Sequence, residues 1–390
     1  MKFIHIADVH LGAVPDSNMP WAGERQKEIW ESFKNIINIC NEEKVDLLLI
    51  AGDLFHKQPL VRELKEVDYY FSTLNTAQVV IIAGNHDYMG PRSNYLGFQW
   101  TENVHMFYGN TVEHLVLDKI NTTVYGFSYH TRDITESIYD DLKPLDTQGR
   151  HILLAHGGDE KSVPINRRKL MNSGFDYIAL GHIHKPEIFG GMMAYSGSLE
   201  PLDKNEVGAR GYIIGEIDKD REFNKDREGG NDREIIKNRE EDIGREINKD
   251  RDSKVKIRFV PCSLREYKRL IITIDQETTH GALEDIIKDK IDKNGKEHIY
   301  MIRIEGFRDE DIGFDKEAIF SLGNILEVID DSHPDYDFDN LYKENSDNMI
   351  GMFIKRIRES DNQNEVTKKA LYYGIEALLE SRDKNAYKKA

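Results

Sequence analysis

Residues 46–56 read DLLLIAGDLFH, and this stretch decides the fold class: an apolar run of strand length stops at Gly52 and hands over to Asp53. A short run that is apolar at every position is a strand buried on both faces, as in a parallel sheet covered by further layers. The same handover recurs in KFIHIADVH (2–10), VVIIAGNHD (79–87), HILLAHGG (151–158) and YIALGHIH (177–184). Parallel strands deliver their C-terminal ends to one edge of a sheet. Asp8, His10, Asp53, Asn85, His156, His182 and His184 are therefore predicted to meet in one crevice. Between the strands, Ile29, Phe33, Ile36, Ile37 and Cys40 recur at helical spacing within 24–44, and 60–74 reads as a second helix. Strand, helix, strand at this spacing predicts right-handed crossovers and an α/β fold.

Two carboxylates, one amide oxygen and four imidazoles form an oxygen and nitrogen donor set without thiolate, which suits manganese, magnesium, iron or zinc. Seven donors exceed the needs of one ion. A two-metal site requires two donor sets and a bridging carboxylate, and Asp53, on the strand between the loops that feed either side, is predicted to be that bridge. Two carboxylates crowded together raise each other's pKa, a conflict that cations remove.

The ordered motifs D-x-H, GD-x-x-H, GNHD, H-G and G-H-x-H resemble the signature of the calcineurin-like metallophosphoesterases. His56 in GDLFH, with YSGSLEPLD at 195–203, is similar to the SbcD family of DNA repair nucleases and its YhaO-like relatives. The resemblance covers about residues 1–217. It implies a four-layer fold, two mixed β-sheets flanked by helices, with a small α+β capping domain and C-terminal helices. It assigns Asp8, His10, Asp53 and His184 to one ion, and Asp53, Asn85, His156 and His182 to the other, manganese being the expected metal. It gives His86, oriented by Asp87, the task of stabilising charge on the phosphate or protonating the leaving oxygen, and His56 that of placing the phosphate or the DNA strand. The implied activity is metal-dependent exonuclease and endonuclease cleavage of DNA in repair, beside an SbcC-type or YhaN-like ABC ATPase. A homodimer through helices near 91–99 and after Thr131 is implied as well. A small-substrate phosphodiesterase or phosphatase is the alternative enzyme, and a non-catalytic scaffold subunit the alternative outside catalysis. The remaining histidines, among them His5, His105, His130 and His151, lack such motif context.

The chain of 390 residues carries a net charge of -17, with 32% charged and 39% hydrophobic residues. That balance excludes a strongly basic nucleic-acid binder, and DNA contact is expected to lean on the metal centre and on a partner subunit. No apolar run reaches the roughly 18 residues of a membrane span. The N-terminus has too short an apolar core for a signal peptide, so a cytoplasmic location is expected. Cys40 and Cys262 are expected to be reduced structural thiols.

Residues 104–130 alternate short β-rich pieces with turns and are expected to form the antiparallel side of a two-sheet core, whose second sheet 192–196 and 211–217 complete. Beyond the first 217 residues composition changes. Between 218 and 253 arginines fall at 221, 227, 233, 239, 245 and 251, a period of six that matches no helical stripe. This reads as a low-complexity, mixed-charge insertion in a hairpin between 211–217 and 254–260. Residues 254–314 are expected to form the capping domain, with strands near 269–274 and 298–304 about a helix. The last helix of 315–390 carries Ala370, Leu371, Ile375, Leu378 and Leu379 on one side, a stripe more often core than partner surface; the resemblance implies that 315–390 is a helical partner-docking region.

Overall fold

The computed structural model describes residues 1–146, 148–218, 254–360 and 364–387. The arginine repeat expected to be a hairpin insertion lies outside the described residues. Two compact units divide at Tyr267/Lys268.

In the first unit the strands are β1 (Lys2–Ile6), β2 (Leu47–Ala51), β3 (Gln78–Ile82), β4 (Val104–Met106), β5 (Glu113–Leu117), β6 (Thr122–Gly126), β7 (Arg150–His156), β8 (Tyr177–Gly181), β9 (Glu187–Phe189), β10 (Met193–Tyr195), β11 (Gly211–Ile217) and β12 (Val255–Pro261). Its helices are α1 (Ala22–Glu42), α2 (Val61–Ser72) and the short α3 (Arg167–Met171). They build two mixed six-stranded sheets, in the orders β12-β11-β1-β2-β3-β4 and β5-β6-β7-β8-β10-β9. The runs β1-β2-β3-β4 and β6-β7-β8-β10 are parallel.

Side-chain alternation sorts the layers. In β1 and β2, Ile4, Ile6, Leu48 and Ile50 face α1 and α2, joining Ile29, Phe33, Ile36, Leu64 and Phe71 in one core. Their neighbours Phe3, Leu47 and Leu49 turn the other way, onto Val124, Ile152, Leu154 and Ala179 of the second sheet. Period two in a strand gives each sheet two apolar faces, which is why these runs carry no polar alternation. The outer face of the second sheet, with Leu153, Ile178 and Leu180, is covered by α3 and by irregular chain bearing Phe127, Tyr129 and Tyr139.

Three expectations are corrected. Gly211–Ile217 does not complete the second sheet: it pairs antiparallel with β1, where Ile213 and Ile217 fill the intersheet core while Tyr212 and Ile214 face the helical layer. Residues 104–130 do not lie wholly on an antiparallel side, because β4 extends the first sheet parallel to β3. Among the described residues, the segments expected to carry dimer helices contain only the 3-10 turn Asn94–Gly97 and, after Thr131, no helix before α3.

β11 and β12 pair in register from Gly211/Pro261 to Ile217/Val255, so the strand following the arginine repeat completes the first sheet instead of opening the second unit. That second unit contains β13 (Tyr267–Ile274), α4 (His280–Asn294), β14 (Ile299–Arg308), α5 (Lys316–Phe320) and β15 (Ile325–Pro334), followed by α6 (Phe338–Glu344), α7 (Met349–Arg358) and α8 (Glu365–Tyr387). Its three strands lie in the order β13-β14-β15. The C-terminal stripe is core: Ile375, Leu371, Leu378 and Leu379 pack with Ile350 and Ile354 of α7, whereas Ala370 is exposed. Among the described residues no helix is long and apolar enough to cross a membrane.

His5 ties the two sheets together. Its Nδ1 lies 2.8 Å from the Tyr177 hydroxyl of β8, and the ring is fully buried. Burial pushes His5 down to about 3, a Leu180 backbone contact opposing it in part. The ring is thus neutral in the fold, while the unfolded chain takes up a proton below about 6.5. The stabilising contribution is present above that pH and is lost as pH falls towards 3. Relative to His5→Phe, the wild type should lose about 1.4 kcal/mol of unfolding free energy between pH 7.5 and 5.5. Urea titrations of both proteins at the two pH values check this. Loss of the Tyr177 hydrogen bond in the variant does not vary with pH and cancels; parallel pH profiles would contradict the prediction.

Candidate metal centre

The parallel strands of both sheets end at one rim. Asp8 and His10 follow β1, Asp53 follows β2, Asn85 follows β3, His156 is the last residue of β7, and His182 and His184 follow β8. The turns that carry them are strained. Asp8, His10, Asp53 and His182 have φ of 50°, 51°, 49° and 94°, a left-handed region that residues with a Cβ seldom occupy. Such strain persists where surroundings over-determine it, and is concentrated at functional sites. Here the surroundings are backbone hydrogen bonds between loops: Asp8 N donates to Gly52 O at 3.1 Å, His10 N to Asp53 O at 3.0 Å and His56 N to Leu11 O at 3.0 Å. Gly52 and Gly181 sit where strand ends of the two sheets nearly touch. A Cβ on Gly52, itself at φ +87°, would strike His156 Nδ1, and one on Gly181 would strike Ala51 O.

All seven predicted residues converge. His10 Nε2 and His184 Nε2 are 3.1 Å apart, and with an Asp8 oxygen they form a group whose donor atoms lie within 4.8 Å of one another. His156 Nε2 is 2.9 Å from Asn85 Oδ1, and His182 Nδ1 is 3.2 Å from that same oxygen. Asp8, Asp53 and His156 form another such group. Between the two sets lies Asp53 Oδ2, 3.8 Å from His10 Nε2 and 3.5 Å from His156 Nε2. Its other oxygen accepts from His86 N at 2.8 Å, so the carboxylate is held with Oδ2 towards both sets. Both Asp8 oxygens accept from His182 N at 3.0 Å.

Electrostatics at the rim follow from burial and crowding. Burial raises the Asp8 carboxyl, with the neighbouring imidazoles opposing. Asp53 is buried too, yet His156 holds it below the ordinary carboxylate range. In return, and against its own burial, His156 is pushed up to about 9 by Asp53. Burial drives His10 well below the usual imidazole range and lowers His182, where His156 adds to the effect. The two carboxylates thus diverge, one raised and one lowered, with His156 as the local counter-charge. Buried oxygens and imidazole nitrogens aimed at shared points, without sulfur, fit divalent cations of the manganese, iron, zinc or magnesium kind.

His56 and His86 stack beside this rim, ring centroids 5.4 Å apart, and His86 stands 4.8 Å from the His10 ring. His86 Nδ1 is 3.1 Å from the backbone oxygen of His56. Asp87 does not orient it. That residue is fully buried and accepts from Gly84 N at 2.8 Å, Phe55 N at 3.2 Å and the Tyr95 hydroxyl at 2.8 Å. Burial and Asp53 raise its carboxyl to about 7. Asp87 binds the loop after β3 to the loop after β2.

Two carboxylates were missed by the sequence reading. Asp159 Oδ2 lies 2.7 Å from His182 Nε2, and Glu206 Oε1 lies 2.6 Å from His184 Nδ1. Asp159 follows HGG closely and was within reach of a motif reading; Glu206 sits in irregular chain beyond YSGSLEPLD with no spacing to betray it.

Comparison with known proteins accords with this geometry. Residues 1–186 match the calcineurin-like phosphoesterase family. The chain is 30% identical over 235 residues to the uncharacterized metallophosphoesterase YhaO of Bacillus subtilis (strain 168), covering 55% of this chain and 57% of that protein. It is 34% identical over 221 residues to the DNA double-strand break repair protein Mre11 of Methanocaldococcus jannaschii, covering 53% and 58%. With Mre11 of Methanopyrus kandleri the identity is 27% over 250 residues, covering 56% and 54%. The chain therefore matches little more than half the length of these curated relatives. Two mixed sheets with helices and the motif set are consistent with that match: residues 1–186 form a calcineurin-like metallophosphoesterase domain, with YhaO and Mre11 among its relatives.

Proposed function

We propose that the chain is a metal-dependent DNA nuclease, with exonuclease and endonuclease activity, that hydrolyses phosphodiester bonds at a dinuclear centre. The observation that carries this reading is the place of Asp53 Oδ2, between His10 Nε2 at 3.8 Å and His156 Nε2 at 3.5 Å. One ion would be held by Asp8, His10, His184 and Asp53, the other by Asn85, His156, His182 and Asp53. When bound, two divalent ions, manganese in this reading, supply Lewis acidity towards phosphoryl oxygens and activation of the attacking water. The protein's own share is positional. Buried strand ends fix the ligands, and backbone N–H groups of His86 and His182 hold the two carboxylates in place. His86 and His56, on the open side of the rim, contact the scissile phosphate, His86 offering a proton to the leaving oxygen.

DNA is favoured over a small phosphoester by the relation to proteins named for double-strand break repair. The net charge of -17 supplies no general attraction for nucleic acid, so a partner is assigned part of the DNA surface. An SbcC-type or YhaN-like ATPase and a second copy of the chain are the proposed partners. Met349 and Met352 on α7 and Val366 and Tyr373 on α8 are exposed and remain open to a partner.

End-labelled linear duplex and hairpin DNA, a cyclic nucleotide and a chromogenic phosphomonoester, each assayed with manganese and with a chelator, test the reading. DNA cleavage that the chelator stops is expected. Turnover of the small substrates alone would replace it with a phosphodiesterase or phosphatase. His86→Ala should retain manganese binding while lowering DNA cleavage by about 10²–10⁴-fold, the scale of a general acid. Unchanged cleavage would remove His86 from that role.

A further inference from the structure

We propose that Glu206 and Asp159 are positioning residues for the metal centre, each fixing the ring of one histidine from its far nitrogen, and each serving a different ion. The inference rests on the dinuclear reading above. Its basis is a pair of contacts on opposite sides of the rim. Glu206 Oε1 lies 2.6 Å from His184 Nδ1, while His184 Nε2 points to His10 Nε2 at 3.1 Å. Asp159 Oδ2 lies 2.7 Å from His182 Nε2, while His182 Nδ1 points to Asn85 Oδ1 at 3.2 Å.

An imidazole that ligates through one nitrogen must carry its proton on the other, and a carboxylate that accepts this proton sets the tautomer, fixes the ring angle and raises the basicity of the ligating nitrogen. The two carboxylates therefore dictate opposite tautomers. Glu206 holds the proton of His184 on Nδ1 and leaves Nε2 free, and Asp159 holds that of His182 on Nε2 and leaves Nδ1 free. Those free nitrogens are the ones that face the other donors.

Both carboxylates are themselves held by backbone donors, Glu206 largely buried and Asp159 half exposed. Glu206 Oε2 accepts from Leu202 N at 3.0 Å and lies 3.8 Å from Arg210 Nε, on a side chain only 18% exposed. Asp159 Oδ1 accepts from Lys161 N and Ser162 N, both at 2.8 Å, which leaves Oδ2 directed at His182. His156, the other ring of the second set, uses the Ala51 carbonyl instead, 2.9 Å from its Nδ1. His184 and His182 are thus the rings served by ionisable partners, one in each donor set.

The test is calorimetric titration of chelator-treated full-length protein with manganese, repeated by following the visible spectrum with cobalt. Wild type is expected to bind two ions. Glu206→Ala should weaken one of them by about 10–100-fold and leave the other within about threefold, and Asp159→Ala should do the same to the opposite ion. Each variant should alter only its own part of the cobalt spectrum. Glu206→Gln, whose amide oxygen still accepts from Nδ1–H, should recover most of the lost affinity, which a merely structural role would not produce. Equal weakening of both ions, or no recovery with Gln, would overturn the proposal. Two ions bound by the wild type with unchanged affinity in both alanine variants would overturn it while sparing the dinuclear reading. Failure of the wild type to bind manganese or cobalt would overturn both.

Discussion

Asp53→Asn is expected to abolish phosphodiester cleavage, by about 10³-fold or more, and to leave at most one manganese ion per chain. Substitution removes the one negative charge that stands between both donor sets, and the several kcal/mol contributed by a paired-cation centre correspond to roughly that factor. The amide can still accept from His86 N through one atom, so the loop is expected to survive. What is lost is charge: Asp53 Oδ2 is the atom shared by His10 and His156 at 3.8 and 3.5 Å. His156, pushed up to about 9 mainly by Asp53, should also return towards a neutral ring. Metal analysis and a cleavage assay on the same preparation read both effects. Full cleavage with two ions bound would deny Asp53 the bridging position.

Arg25→Ala is expected to destabilise the first unit by about 3–5 kcal/mol, the cost of stranding a buried charge. Arg25 of α1 is fully buried. Its Nη1 contacts Glu28 Oε2 at 2.5 Å and Glu200 Oε2 at 3.2 Å, and its Nη2 donates to Pro201 O at 2.7 Å. Glu200 is buried as deeply, and its Oε1 accepts from Ser32 Oγ and Leu264 N, each at 2.6 Å. Burial raises this carboxyl even with those donors and Arg25 opposing it. One side chain thereby gathers α1, the segment after β10 and the chain after β12. Thermal melts should show a fall of roughly 6–15 °C for a domain of this size. Pairing Arg25→Met with Glu200→Gln should recover much of that loss, because a buried pair replaced at both ends leaves no bare charge. A single variant that melts with the wild type would refute the account of Arg25.

How far the sequence carries the site depends on what strand ends announce. DLLLIAGD and its four counterparts each mark a buried strand and its exit, and parallel strands share a polarity, so seven donors from five loops could be gathered from spacing alone. Asp87 shows the limit of that reasoning. It adjoins His86 in GNHD, but on a tight turn adjacent side chains diverge, and Asp87 faces Tyr95 and the loop after β2. Glu206 lies 22 residues beyond His184 in irregular chain, where no period links position to direction. The sheet to which β11 belongs is hidden for a related reason. An apolar run that suits two covered faces fits either sheet, and only its pairing with β1 distinguishes them. The C-terminal stripe at Leu371, Ile375, Leu378 and Leu379 was open to two readings, core or docking face, and packing on α7 gives the first.

Anomalous diffraction from crystals grown with manganese tests the central claim most directly. Two peaks about 3.5–4 Å apart are predicted, flanking Asp53 Oδ2, one beside Asp8, His10 and His184 and the other beside Asn85, His156 and His182. A single peak, or two that do not share Asp53, would contradict the dinuclear centre on which the nuclease reading depends.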